Sequence, residues 1–208
     1  MKSLFVKLGV VVSYLFSLRV RDMITSLYVC FYTGFQKRFF KSFGERSYIV
    51  PKLRMLVGSK CIEIGKDCVI GKNAKLTAYM SYRNKMYTPS LIIGDNVQIG
   101  DNVHITCINQ IRIGNGVLMG SSVLITDNNH GSACYSDLIV RPVDRNLVSR
   151  GEVIIEDDVW IGEKASIMSG VKIGHGAIIG ANVIVTKDVP AFTIVVGQPT
   201  RYLLPKDT

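Results

Sequence analysis

The chain has 208 residues, 48% of them hydrophobic, and a formal charge of +9. That length suits one domain, or one with a small appendage. Its five cysteines are odd in number and contain no CxxC pair, which argues against a disulfide framework and a structural zinc site and fits a reducing cytoplasm.

Residues 1–46 hold eight basic side chains against Asp22 and Glu45, so +6 of the +9 belongs to this segment. Across residues 1–45, Phe, Tyr, Leu and Val are interleaved with Lys and Arg, a pattern that predicts one or two amphipathic helices. Lys7 interrupts the first apolar stretch and no small-residue cleavage pattern comes after it, so a secretory signal is not expected. The uncharged runs 8–18 and 23–36 fall short of the roughly 18–20 apolar residues a bilayer-spanning helix needs. Two roles stay open for the segment: a hydrophobic cap on the remainder of the chain, or peripheral contact with an anionic inner membrane leaflet. Nucleic-acid binding is not expected, because nothing downstream supplies a base-reading element.

Short repeats begin at Ile64-Gly65 and Ile70-Gly71, then fail across an excursion at 78–90. They resume at Ile93, Ile99 and Ile105, slip by two residues through Ile111 and Arg112, and continue at Ile113, Met119 and Ile125. A second excursion covers 131–152. From Ile155 to Pro190 the period of six is unbroken, with aliphatic residues at Ile155, Ile161, Ile167, Ile173, Ile179 and Val185 and a small or β-branched residue four positions after each. Neither a helix nor simple strand alternation has a period of six, but an all-β solenoid built from hexapeptide faces does. Three faces close one triangular coil of 18 residues, with coils about 4.8 Å apart at ordinary strand spacing. The expected organisation is therefore a helical segment over 1–45 and a parallel β-helix over 46–208. Gly, Asn and Asp gather at corners such as Asp95-Asn96 and Asp101-Asn102, where positive φ is tolerated. Asp157 and Asp158 belong to the same class and are not read as a catalytic pair.

A solenoid presents a surface, so chemistry is expected where the repeat breaks. Thr126-Asp127-Asn128-Asn129-His130-Gly131 is such a place. Of the three histidines, His104 closes a hexad and His175 occupies a corner beside Gly176, whereas His130 stands among polar residues at the root of a loop. Imidazole titrates near neutrality and suits a general base. A metal-dependent carbonic anhydrase prism would need three converging imidazoles, two of them five residues apart; separations of 26 and 45 do not fit. A non-catalytic scaffold is the other alternative from outside the transferases.

The hexads, Asp127-Asn128-Asn129-His130-Gly131, Val159-Trp160-Ile161-Gly162, Val185-Thr186-Lys187-Asp188-Val189-Pro190 and Gly197-Gln198-Pro199-Thr200-Arg201 resemble the maltose/galactoside-type acetyltransferases of the left-handed β-helix superfamily. More narrowly, they resemble bacterial capsule and lipopolysaccharide O-acetyltransferases. The resemblance implies a left-handed coil, against the general right-handed preference of parallel crossovers. It also implies a homotrimer with sites shared between subunits, acetyl-coenzyme A as acyl donor, and a sugar or glycan acceptor. By the same resemblance His130 is the general base, with Asp127 or Asn129 either orienting its ring or serving the corner. Trp160, Gly180, Ala181, Thr186, Lys187 and Arg201 are the positions expected to bind coenzyme A, with Trp160 replacing a small corner residue. No metal is implied. Where the galactoside enzymes carry an acidic sugar-binding residue, this chain reads Thr106-Cys107-Ile108-Asn109, and Glu163 stands where they often have a small polar residue. Galactoside specificity is therefore not carried over, and an antibiotic-modifying acetyltransferase of the same superfamily is the alternative reading.

Overall fold

The structure is a computed structural model that describes residues 2–15, 18–132, 134–197 and the backbone of 201–203. Aliphatic residues at every sixth position turn inward on three faces, and the chain winds as a left-handed parallel β-helix. One face stacks Ser42–Phe43, Ile62–Ile64, Ser90–Ile93, Gln110–Ile113, Val153–Ile155 and Lys172–Ile173. The second runs from Tyr48–Ile49 through Gln98–Ile99 and Trp160–Ile161 to Ile194–Val196, and the third from Met55–Val57 through His104–Cys107 and Leu124–Thr126 to Ile184–Val185. The core is a column of Ile, Val, Leu and Ala with almost no exposure.

In the regular coils 18 residues separate paired positions, as in Ile155 and Ile173 or Ile161 and Ile179. Between Ile105 and Ile125 the separation is 20. The slip expected through Ile111 and Arg112 lies slightly earlier: those two residues sit inside a regular strand paired with Leu91 and Ile92, and the extra pair lengthens the corner at Ile108–Asn109.

Stacked glycines let the coils approach. A Cβ on Gly71 would stand 2.5 Å from the Gly100 backbone, one on Gly100 2.7 Å from Gly120, and one on Gly162 2.6 Å from the amide nitrogen of Ala181. Gly180 ends this stack, with Val195 O at 3.1 Å. Polar corners tie successive coils together, Asp95 accepting from the Lys66 amide at 2.9 Å and Asp157 from the Asn115 amide at 2.7 Å. Asp158 has φ 58°, so the 157–158 pair serves the corner.

The N-terminal segment forms two helices, α1 (Lys2–Leu15) and α2 (Leu18–Lys37). The last part of α2 covers the open end of the prism. Thr33 is buried; its hydroxyl oxygen accepts from the Ile49 amide at 2.9 Å, and Tyr32 Oη accepts from the Leu53 amide at 3.1 Å. Phe40 is buried against the core, 5.4 Å from the Phe43 ring. This cap satisfies an edge that would otherwise present unpaired amides to another strand. The solenoid starts earlier than the expected 46, because Ser42–Phe43 already pairs in parallel with Glu63–Ile64.

Candidate active site

Both excursions are hairpins, and they dock on one another. The first pairs Ser81–Tyr82 with Lys85–Met86, and the second pairs Asn129–His130 with Leu147–Val148. The Arg83 guanidinium donates to Val143 O at 2.9 Å and pairs with Asp144, which also binds Arg141 at 2.6 Å. Tyr87 Oη donates to Leu147 O at 2.9 Å.

His130 is exposed at the first strand of the second hairpin. Pairing with Leu147 holds its backbone, and Tyr82 meets its ring edge-to-face with centroids 5.3 Å apart and planes at 76°. That geometry fixes the imidazole plane. The ring opens on a cleft of about 470 Å³ lined by tyrosines 79 and 82, His104, Thr106, Asn128 and Met168 among others.

Asp127 serves the corner. It is completely buried, and its carboxylate accepts from the amides of Ile108 at 2.9 Å and Asn109 at 2.8 Å, from Asn128 Nδ2 at 3.0 Å and from the Cys107 thiol at 3.3 Å. These are the amides of the two extra corner residues. Asp127 therefore staples the lengthened corner, and among the described residues none of its hydrogen bonds goes to the imidazole. Burial, reinforced by the Asp127 charge, pushes the Cys107 thiol far up. Asn129 is half-buried, faces Val148 across the hairpin, and lines both this cleft and a neighbouring one.

Ser169, from the following coil, closes the root of the second excursion. Its hydroxyl donates to Asp127 O at 2.7 Å and accepts from the Arg150 amide at 2.8 Å, so one side chain ties the departing strand to the returning one. The Thr126 hydroxyl donates to Asn128 O at 2.8 Å and accepts the Asn128 amide at 3.1 Å, completing a tight polar turn before His130.

His104, which the sequence reading set aside as closing a hexad, joins the candidate site. It lies in a strand of the third face and lines the same cleft as His130; burial, with the Lys75 ammonium adding to it, holds its pKa below the ordinary histidine value. Its pairing with Lys75 and Leu124 places all three side chains in one outward column, a juxtaposition that needs the coil register. His175 is elsewhere, edge-to-face with Phe192 at 5.1 Å.

The positions expected to hold coenzyme A divide between faces. Thr186 lines a cleft of about 410 Å³ with Asn129, Ser132, Arg150 and Met168, just past the third-face strand that ends at Val185. Lys187 beside it is exposed. Trp160 is not a corner residue: it occupies an outward strand position on the second face, between Leu118 and Ile178, and is 51% exposed. Gly180 and Ala181 form the corner between the second and third faces. The backbone of Arg201 extends the second face by pairing with Val196, and its side chain lies outside the described residues.

Comparison with known proteins fits this architecture. Residues 152–187 match the bacterial transferase hexapeptide family (six repeats), and 57–76 match the hexapeptide repeat of succinyl-transferase. The chain is 37% identical over 116 residues to WbbJ of Escherichia coli, assigned as a lipopolysaccharide biosynthesis O-acetyl transferase, covering 54% of this chain and 59% of that protein. A chloramphenicol acetyltransferase of Escherichia coli is 55% identical over 51 residues, 24% of either chain. The chain thus spans less than two thirds of these curated relatives. Among solved structures, a point mutant of AntD, an N-acyltransferase from Bacillus cereus in complex with dTDP and coenzyme A, superimposes with a TM-score of 0.65 at 20% identity, covering 84% of this chain and 89% of that one. Repeat, coil and relatives agree: the chain carries the hexapeptide repeats of bacterial transferases and is similar to acetyltransferases that contain them.

Proposed function

We propose that this chain is an acetyl-coenzyme A-dependent O-acetyltransferase that acts on a sugar hydroxyl in surface polysaccharide biosynthesis, with His130 as general base. One observation carries the reading: His130 is an exposed imidazole, held at a break in the coil by strand pairing and by Tyr82, facing a cleft with hydroxyl and amide groups. A sugar hydroxyl is a poor nucleophile at neutral pH. His130 takes its proton as the oxygen attacks the thioester carbonyl; the tetrahedral oxyanion collapses, the carbon–sulfur bond breaks, and the proton passes to the departing thiolate. Such proton transfer contributes roughly 10²–10⁴-fold. A backbone amide of a facing coil is the kind of donor that would stabilise the oxyanion.

The assignment to O-acetylation in lipopolysaccharide biosynthesis belongs to WbbJ, and coenzyme A binding to AntD; both support the reading without defining this chain's acceptor. Thr186 and His130 leave the third face of the prism while Trp160 stands on the second. A site that used both could draw them from neighbouring prisms, and the homotrimer with shared sites that the family resemblance implies is part of this reading. Light scattering should then give about three times the 23.0 kDa chain, and an active monomer would overturn the shared site.

The test is release of coenzyme A thiol from acetyl-coenzyme A in the presence of sugar acceptors, with the O-acetyl product identified by NMR. His130→Ala is expected to lower kcat by at least about 10²-fold while acetyl-coenzyme A KM changes little. Retention of more than a tenth of wild-type turnover in a trimeric variant removes His130 from the role. An antibiotic acceptor is the second reading, favoured by the short chloramphenicol acetyltransferase match, and the same assay with chloramphenicol decides between them.

A further inference from the structure

The N-terminal helices divide into two parts with different surroundings. The end of α2, at Tyr32 and Thr33, and the residues after it pack on the prism. Of 28 exposed large hydrophobic side chains among the described residues, 15 lie between Leu4 and Phe35. In α2, Ile24, Leu27, Tyr28, Phe31 and Phe35 follow the spacing i, i+3, i+4, i+7, i+11, the stripe of an amphipathic helix. That stripe is exposed, Phe31 to 76%, while the neighbouring Tyr32 and Thr33 face the solenoid. In α1, Leu4 is 69% exposed, and Leu8 and Val11, four and seven residues on, are exposed as well.

Two properties say what covers this surface. First, it is interspersed with Lys2, Lys7, Arg19 and Arg21, within a segment whose balance is +6. A second copy would bring the same charge to the same place, whereas an anionic surface is complementary. Secondly, no single helix among the described residues is long and apolar enough to cross a membrane. The 14 residues of α1 extend about 21 Å, against a hydrocarbon core of about 30 Å. The two helices would meet the length and composition of a span only together, across a 91° bend, whereas a helix with an apolar stripe and basic flanks suits the plane of the lipid interface, with Lys and Arg reaching the headgroups. We infer that α1 and the exposed stripe of α2 form a peripheral docking surface for an anionic phospholipid bilayer, with the end of α2 acting as the rigid link to the prism. The two roles left open by the sequence thus fall to different residues: Tyr32, Thr33 and Phe40 cap the solenoid, and the exposed apolar residues of α1 and α2 up to Phe31, with Phe35, meet the membrane. Lipid docking of this kind does not depend on which acceptor the prism acetylates, or on His130.

The experiment is sedimentation of the full chain with vesicles of phosphatidylcholine alone, or with about one third phosphatidylglycerol, at low salt and at about 0.5 M salt. Binding is expected only to the anionic vesicles and is expected to weaken as salt rises. Replacing Lys2, Lys7, Arg19 and Arg21 together by Gln should lower the partition coefficient about five-fold per charge, or about 1 kcal/mol each. The pair Leu27→Asp and Phe31→Asp should abolish binding without shifting the unfolding midpoint, since neither residue is in the core. Several results would overturn the proposal: no binding of the wild type to anionic vesicles at low salt, unchanged binding of both variants, or binding that survives alkaline carbonate extraction, which would mean insertion. So would light scattering that shows assemblies beyond a trimer dissolved by the Leu27/Phe31 variant without any vesicle binding, because the occupant would then be a second copy.

Discussion

The coils from 153 to 196 and those from 62 to 148 have the same kind of core, yet they solve the problem of unpaired backbone groups differently. In the regular coils the strand amides find carbonyls of the next coil, as Trp160 N does with Ala177 O at 3.0 Å, and corners are closed by one carboxylate at a time. In the interrupted coils the ladder is cut twice and lengthened once, so buried side chains take over: Asp127 for the lengthened corner and Ser169 for the two ends of the second hairpin. The difference teaches why the candidate chemistry sits where it does. An insertion in a solenoid frees the chain to project an imidazole, but only if a polar staple satisfies what the insertion leaves unpaired.

The largest effect is expected from removing that staple. Asp127→Ala would remove the fully buried acceptor of the Ile108 and Asn109 amides, leaving the buried Ile108 amide, the Asn128 side-chain amide and the Cys107 thiol without it. At about 1–3 kcal/mol for each orphaned group, the loss of unfolding free energy should reach about 3–5 kcal/mol, with Asp127→Asn intermediate. Denaturant unfolding measures it; a loss below about 1 kcal/mol would mean that the interrupted coil does not depend on Asp127.

A smaller effect separates two glycines of the same stack. Gly162→Ala would put a methyl 2.6 Å from Ala181 N and 2.8 Å from Gly180 C, both backbone atoms, and should cost about 1–3 kcal/mol. Gly180→Ala has Val195 O at 3.1 Å as its tightest neighbour, with two valine methyls at 3.4 and 3.6 Å, and should cost less. If Gly180→Ala instead raises acetyl-coenzyme A KM while stability holds, the end of the stack has a second use as a path for the acyl donor. Equal destabilisation by the two substitutions would break the contrast between a stacked corner and a terminal one.

The smallest perturbation uses the thiols as reporters of the same contrast. Cys134, in the second excursion, is exposed, and hydrogen bonds from the Ser132 and Ser136 hydroxyls hold its thiol below the ordinary value. Burial raises the thiols of Cys68 and Cys107. A disulfide reagent near neutral pH should therefore modify Cys134 first, with a rate that levels off at lower pH than that of an ordinary thiol, and reach Cys68 and Cys107 only on unfolding. Native labelling of Cys107 as fast as Cys134 would show that the stapled corner opens.

Period alone determined the coil, the inward side of each strand and the positions of both excursions, because in a solenoid every hexad meets the same neighbours and local pattern equals tertiary contact. The placement of His130 at the root of the second hairpin was legible for a related reason: it stands where the pattern stops. Tertiary structure alone decided the rest. Asp127 reads as a potential partner of the imidazole, but its carboxylate points to a corner 18 residues earlier, a contact set by the register between coils. Tyr82 and His104 are 48 and 26 residues from His130 in the chain and share its cleft only because one hairpin folds over another and one coil lies on the next. Trp160 falls on a strand rather than a corner because the count of residues around the coil, and not the identity of the side chain, assigns each position its place on the prism.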